Sequence, residues 1–197
     1  MKKRYDRAYF DRWYRGRSPI VSAQELRRKV ELAVALAEHF LRHPLRNVID
    51  LGCGEGSWLP HLASLRPRVR YAGYDPSEYT VAEFGDSRNV RHGSFGQLAD
   101  LRIRERFDLL VCADVLHYLD EDEIAQGLPP AVRLMRGAAF FEVITSEDAV
   151  RGDLAGLKRR PAAWYRERLT AAGLRQVGPY TWVRSEMHRR ASPLELS

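Results

Sequence analysis

Apolar runs of four to seven residues recur along the chain, separated by longer stretches in which apolar positions return every three or four residues. The runs at 48–51, 69–74, 89–92, 107–112 and 138–144 read as strands, and a terminal pair at 174–177 and 180–183 is joined through Gly178-Pro179. The run at 107–112 is apolar on both alternating faces, as a central parallel strand requires. Between them lie helices. Ser22 and Glu25 form a capping box ahead of Leu26, Val30, Ala33, Val34, Ala37, Phe40 and Leu41, and His43-Pro44 stops that run. Residues 57–65 read as a second helix, with Pro60 tolerated near its start. Asp120 and Glu123 cap a third, with Ile124, Leu128, Val132 and Met135 on one face; Pro129-Pro130 should kink it and Gly137 end it. Residues 164–172 form another, closed by Gly173. Near the start, Phe10, Trp13 and Tyr14 have the spacing of one face of a short helix, ended by Pro19. Strands alternating with helices imply a parallel sheet covered on both faces with right-handed crossovers.

The strand at 48–51 runs into Gly52-Cys53-Gly54-Glu55-Gly56, three glycines in five residues, and then into a helix. Glycine can take positive φ and lets a ligand approach its backbone, and the following helix start presents unpaired N–H groups. A nucleotide-like ligand is expected there. The dinucleotide spacing G-x-G-x-x-G is not met, because Ser57 stands where the third glycine belongs. Asp50 lies two places before the first glycine, where its carboxylate can meet a cationic group. The next strand ends in Asp75-Pro76, and a carboxylate at that tip can accept from two ribose hydroxyls at once; capping of the helix after Ser77 is the competing role.

With an acid ahead of a G-x-G loop, this stretch resembles the first motif of the class I S-adenosylmethionine-dependent methyltransferases. The run D-L-L-V-C-A-D-V-L-H-Y-L from Asp108 resembles their fourth motif. The resemblance covers about residues 46–143 and extends more loosely to the C-terminus. It implies an α/β, Rossmann-like, doubly wound and mostly parallel seven-stranded sheet, with an antiparallel C-terminal strand. It also implies S-adenosyl-L-methionine as cofactor and S-adenosyl-L-homocysteine (SAH) as product. Asp50, Gly52, Cys53, Gly54, Asp75 and Pro76 would form one side of the cofactor site. Ser94 stands where the family often has an acid facing the adenine, a departure from the pattern; Phe95 either lies along the base or belongs to the core. Ala113 would touch the cofactor through its backbone, with Asp114 and His117 facing the site, and His117 is the candidate general base. Ser146, Glu147 and Asp148, beyond the strand at 138–144, are expected to border the acceptor pocket.

A chain of 197 residues fits one compact domain, here an N-terminal helical cover over residues 1–45 and the cofactor-binding part over 46–197. No apolar run approaches the roughly 18 residues of a membrane span, the opening residues lack a secretory pattern, and a cytoplasmic protein is expected. Two cysteines, Cys53 and Cys112, argue against a disulfide framework, and no histidine has the spacing of a metal site. Charge is uneven: residues 1–30 carry ten Lys/Arg against three Asp/Glu, while residues 31–183 carry nineteen against twenty-one. That basic segment, with Tyr5, Tyr9, Phe10, Trp13 and Tyr14, reads either as core packing or as a lid that helps to recognise an acceptor, with an anionic one an option. The expected reaction is methyl transfer to an O or N nucleophile, less often C, of a small molecule. An RNA- or protein-modifying enzyme and a cofactor-binding protein without turnover are the alternatives; an NAD-dependent oxidoreductase is disfavoured by the glycine spacing and Asp50.

Overall fold

A computed structural model describes residues 5–15, 21–150 and 153–191; Pro19 lies outside them. Seven strands form one sheet: β1 (Asn47–Leu51), β2 (Arg70–Asp75), β3 (Val90–His92), β4 (Phe107–Ala113), β5 (Met135–Glu142), β6 (Leu174–Gly178) and β7 (Thr181–Arg184). Their order is β3-β2-β1-β4-β5-β7-β6, and β7 alone runs antiparallel to its neighbours. The helices are α1 (Arg7–Trp13), α2 (Ala23–Leu41), α3 (Trp58–Leu65), α4 (Glu78–Arg88), α5 (Glu121–Leu134), α6 (Ala162–Ala171) and α7 (Ser185–His188), with a 3-10 turn at Leu116–Tyr118. The expected α/β fold is the observed one.

Alternation along the central strands divides the core in two. Leu109 and Val111 of β4 join Val48, Phe140 and the α2 residues Val30, Ala33, Val34 and Ala37 on one face of the sheet. Leu110 and Cys112 join Ile49, Leu51, Phe141 and the α5 residues Ile124 and Leu128 on the other. The same alternation puts Cys53 and Cys112 in different clusters; both are buried and free.

Two boundaries differ from the sequence pattern. Pro129 and Pro130 lie inside α5, which ends at Leu134 and passes directly into β5 at Met135. Gly137 therefore ends no helix. It sits within β5, where an added Cβ would come 2.3 Å from the Asp108 carbonyl oxygen and 2.8 Å from Leu41, so close backbone approach demands glycine. In α1, only Phe10 is buried. Trp13 is half-buried with the Arg12 guanidinium 4.7 Å from its ring, and Tyr14 is 41% exposed, so the three aromatics do not share one buried face.

At the N-terminal ends of the strands a polar network fixes the register. Asp108, fully buried, accepts from the Arg46 N–H at 2.9 Å and pairs with Arg136 at 3.1 Å. Asn47 accepts from the Asp108 N–H and donates to the Arg106 carbonyl and Glu105. Each buried polar atom named here has a protein partner, which stabilises this end of the fold.

Candidate active site

The opposite ends of β1, β2 and β4 lie at the reversal of strand order between β1 and β4, where open α/β sheets form their ligand crevice. After β1 the chain turns through Gly52, Gly54 and Gly56 at φ of 73°, 54° and 69°, values that glycine alone adopts without strain. The Gly52 and Cys53 N–H groups both donate to the Tyr74 carbonyl, at 2.7 and 3.2 Å. Gly54 N–H donates to Asp75 Oδ2 at 2.8 Å, tying the loop after β1 to the tip of β2. A Cβ on Gly52 would meet Val115 at 2.3 Å, so the segment after β4 closes directly onto the loop.

Two carboxylates lie under this loop with little water. Asp50 is 2% exposed and accepts from the Tyr71 hydroxyl at 2.7 Å. Burial lifts its pKa to about 7, partly opposed by that hydrogen bond, with the charge of Asp75 adding to the rise. Asp75 is also buried, and desolvation raises its pKa against the N–H groups of Ser77 and Gly54, which favour the ionised form. Its Oδ1 takes the Ser77 N–H and the Thr80 hydroxyl, while Oδ2 takes Gly54 N–H. Ser77 itself caps α4 through Thr80 N–H. The helix-cap and loop-locking roles of this corner are thus shared between two residues.

Residues 49–140 match a family model described as a methyltransferase domain. Residues 49–140 are thus a methyltransferase domain. No match emerges among curated proteins. Among solved structures it is similar to the sugar N-methyltransferase KedS8 from Streptoalloteichus sp ATCC 53650, at 19% identity over 89% of this chain and 91% of that one, TM-score 0.66. It is similar to magnesium protoporphyrin IX methyltransferase from Synechocystis PCC 6803 with bound SAH, at 19% identity over 91% and 96%, TM-score 0.64. A third is an O-methyltransferase family protein from Burkholderia thailandensis, at 20% identity, covering 82% of this chain but only 57% of that one, TM-score 0.53. At these identities the likenesses establish the fold.

S-adenosylmethionine is the cofactor that the resemblance to this family implies, and the residues of the crevice suit it chemically. At Gly52, Gly54 and Gly56 the loop carries no side chain, and the Asp75 Oδ2 atom, with one N–H bound, keeps acceptor capacity. Asp50 and Asp75 place negative potential where a cationic nucleoside amino acid would lie. Among the described residues no group of three His, Cys, Asp or Glu side chains could hold a metal ion, and no helix is long and apolar enough to cross a membrane.

The remaining expected residues distribute unevenly around the methyltransferase crevice. Pro76 is exposed beside Asp75, and Ala113, half-buried, ends β4. Cys53 is 7% exposed and its thiol pKa is pushed up, mostly by burial and then by Asp50 and Asp75. Ser94 donates to Gln97 at 3.0 Å. Phe95 is core: it packs where Gly127 of α5 leaves room, 2.4 Å from the position of a Cβ there, so it is not free to lie along a base. His117 is a correction too. Its ring is fully buried and Nδ1 accepts from the Ile144 N–H at 3.1 Å, which puts the proton of the neutral ring on Nε2. A ring so engaged bridges the 3-10 turn to the end of β5 and has no free lone pair with which to act as a base.

Sequence reasoning did not find Tyr71, which holds Asp50, or Lys29, whose ammonium reaches Glu142 at 2.6 Å. A signal for Lys29 existed: it falls three residues after Leu26 and one before Val30, beside the apolar stripe of α2. That reasoning offered a lid or core packing for the N-terminal segment, without the contacts by which α1 docks beside the glycine loop. The Phe10 ring lies 3.1 Å from a Cβ position on Gly54, Ser77 donates to the Tyr5 carbonyl, Arg15 pairs with Glu55 and bonds Tyr79 at 2.7 Å, and Arg7 pairs with Glu83 at 3.3 Å.

Proposed function

We propose that this methyltransferase acts on an O or N nucleophile of a small molecule, and that the crevice around the glycine loop is its active site. The Gly54–Asp75 hydrogen bond carries the reading, since it joins the glycine loop and the acid at the tip of β2, two elements suited to a nucleoside, at the same ends of a parallel sheet. In this reading Asp75 accepts from the ribose hydroxyls, Asp50 and the loop from Gly52 to Gly54 receive the amino-acid part, and the backbone around Ala113 lies alongside it. When bound, S-adenosylmethionine supplies a methyl group on an electrophilic sulfonium. The chain's own residues bind, align the acceptor and exclude water. Residues 5–15 are a cover over the crevice; the Phe10 contact and the Arg15 and Tyr5 bonds support this. A small acceptor is supported by the likeness to KedS8, a sugar N-methyltransferase similar over nine-tenths of both chains. The basic residues of this cover are partly used in docking it, Arg7 to Glu83 and Arg15 to Glu55, and Arg15 also pairs with Asp11 within the cover, which weakens the case for an open RNA-binding face.

Two measurements test the reading. Calorimetry should detect S-adenosylmethionine and SAH and no NAD, and acceptor profiling by SAH release should find turnover with small O or N nucleophiles. NAD binding without a response to either sulfur nucleoside would overturn it.

A further inference from the structure

Asp114 stands at the junction of the glycine loop, the end of β5 and the cover. The preceding residue, Ala113, pairs with Glu142 across β4 and β5, and Asp114 N–H donates to the Glu142 carbonyl at 3.0 Å. The following residue, Val115, fills the space that Gly52 leaves. Asp114 itself has φ of 58°, a conformation in which a residue with a side chain persists only where its surroundings fix it. Behind it, Lys29 of α2 reaches Glu142 at 2.6 Å and Glu25 at 3.4 Å, so one ammonium is shared by two carboxylates and leaves little positive charge for Asp114. Tyr14 of the cover and Tyr180 of the β6–β7 turn are 41% and 43% exposed, and the charge of Asp114 bears on both phenols. Burial lifts the Asp114 pKa to about 6, Glu142 adds to the rise and Lys29 opposes it; no hydrogen-bond donor among the described residues offsets it.

We propose that Asp114, backed by Glu142, receives the methyl acceptor and selects a protonated amine. The inference rests on the methyltransferase reading above and replaces the expectation of an anionic acceptor, which this end of the sheet would repel. The amine gives one proton to the Asp114 carboxylate, and its freed lone pair takes the methyl carbon. The electron pair of the broken carbon–sulfur bond stays with sulfur, leaving an N-methylammonium product and a neutral thioether. The proton on Asp114 then passes to water.

Sinefungin tests this without a known acceptor, because it carries a protonated amine where S-adenosylmethionine carries the methylsulfonium. By calorimetry at neutral pH, the wild-type protein should bind sinefungin at least ~10-fold more tightly than SAH, as expected for one charge-assisted hydrogen bond. Asp114→Asn keeps a side chain that tolerates left-handed backbone and should bring the ratio close to one with SAH affinity retained. S-adenosylmethionine, cationic but without an N–H there, should lose less than sinefungin. Lys29→Met, which removes the competing ammonium, should raise the sinefungin preference when read well above neutral pH, where the Asp114 carboxylate stays ionised without Lys29, and it decides the matter should Asp114→Asn fail to fold. No sinefungin preference in the wild type, a preference that survives Asp114→Asn, equal losses for sinefungin and S-adenosylmethionine, or a reduced preference in Lys29→Met at that pH each overturns the proposal. Failure of SAH itself to bind would instead sink the methyltransferase reading.

Discussion

The two ends of the sheet bury carboxylates in opposite ways. At the N-terminal ends Asp108 is fully buried, yet it is met by the Arg46 N–H and the Arg136 guanidinium. At the C-terminal ends Asp50, Asp75 and Asp114 are held with raised pKa values, and Gly52, Gly54, Gly56 and Asp114 all have positive φ. Charge that is matched by the protein stabilises a fold; charge left to be matched is available to a ligand. One end holds the architecture, and the other bears the cost of a site.

That contrast can be broken most sharply with pH. A carboxyl whose folded pKa is raised holds its proton in the folded chain after the unfolded chain has released it. The contribution of Asp50 is therefore fully present below pH 3.8 and is lost as pH rises toward about 7. Across that window stability should fall by roughly 1.4 kcal/mol per pH unit from this residue alone, and Asp50→Asn should flatten the curve. Urea unfolding at stepped pH measures it; identical slopes in both proteins would show that Asp50 is not the group titrating.

At the other end, Asp108→Ala should lower the unfolding free energy by about 3 kcal/mol, since it leaves the Arg46 N–H and the Arg136 guanidinium without their acceptor. SAH affinity should stay within about twofold, because the site is built at the far ends of the strands. A large loss of SAH affinity without loss of stability would erase the division between the ends.

Asp75→Ala should do both things at once. Removing the acceptors offered to ribose should raise the SAH dissociation constant at least tenfold, about 1.5 kcal/mol or more. The stranded N–H groups of Gly54 and Ser77 should also cost roughly 1 to 2 kcal/mol of stability. Calorimetry and urea titration on the same variant separate the two effects. The smallest change is expected for Arg7→Ala at the cover's edge, where both partners of the Glu83 pair are about half exposed or more. Stability should move by less than about 0.5 kcal/mol, and a larger shift would mean that the cover is anchored through this pair.

The sequence by itself determined the α/β architecture, the glycine loop after β1, the acid at the end of β2 and the helix opened by Ser22. Each follows from a local rule: hydrophobic period, glycine's tolerance of positive φ, or a cap that reaches three residues along the chain. Tertiary structure alone decided what those rules cannot address. Gly137 looked like a helix stop and proved to be a strand residue, because Asp108 of the neighbouring strand leaves no room for a Cβ. His117 looked like a base and is tied through Nδ1 to Ile144, 27 residues away; Phe95 is held in the core by the gap that Gly127 leaves. Lys29 meets Glu142 only because α2 packs across β5, and Phe10 meets Gly54 only because α1 folds back over the loop. Local pattern records which conformations a stretch of chain prefers. Which distant side chain lies beside it, and so which proton or charge it carries, is set by packing between elements far apart in the sequence.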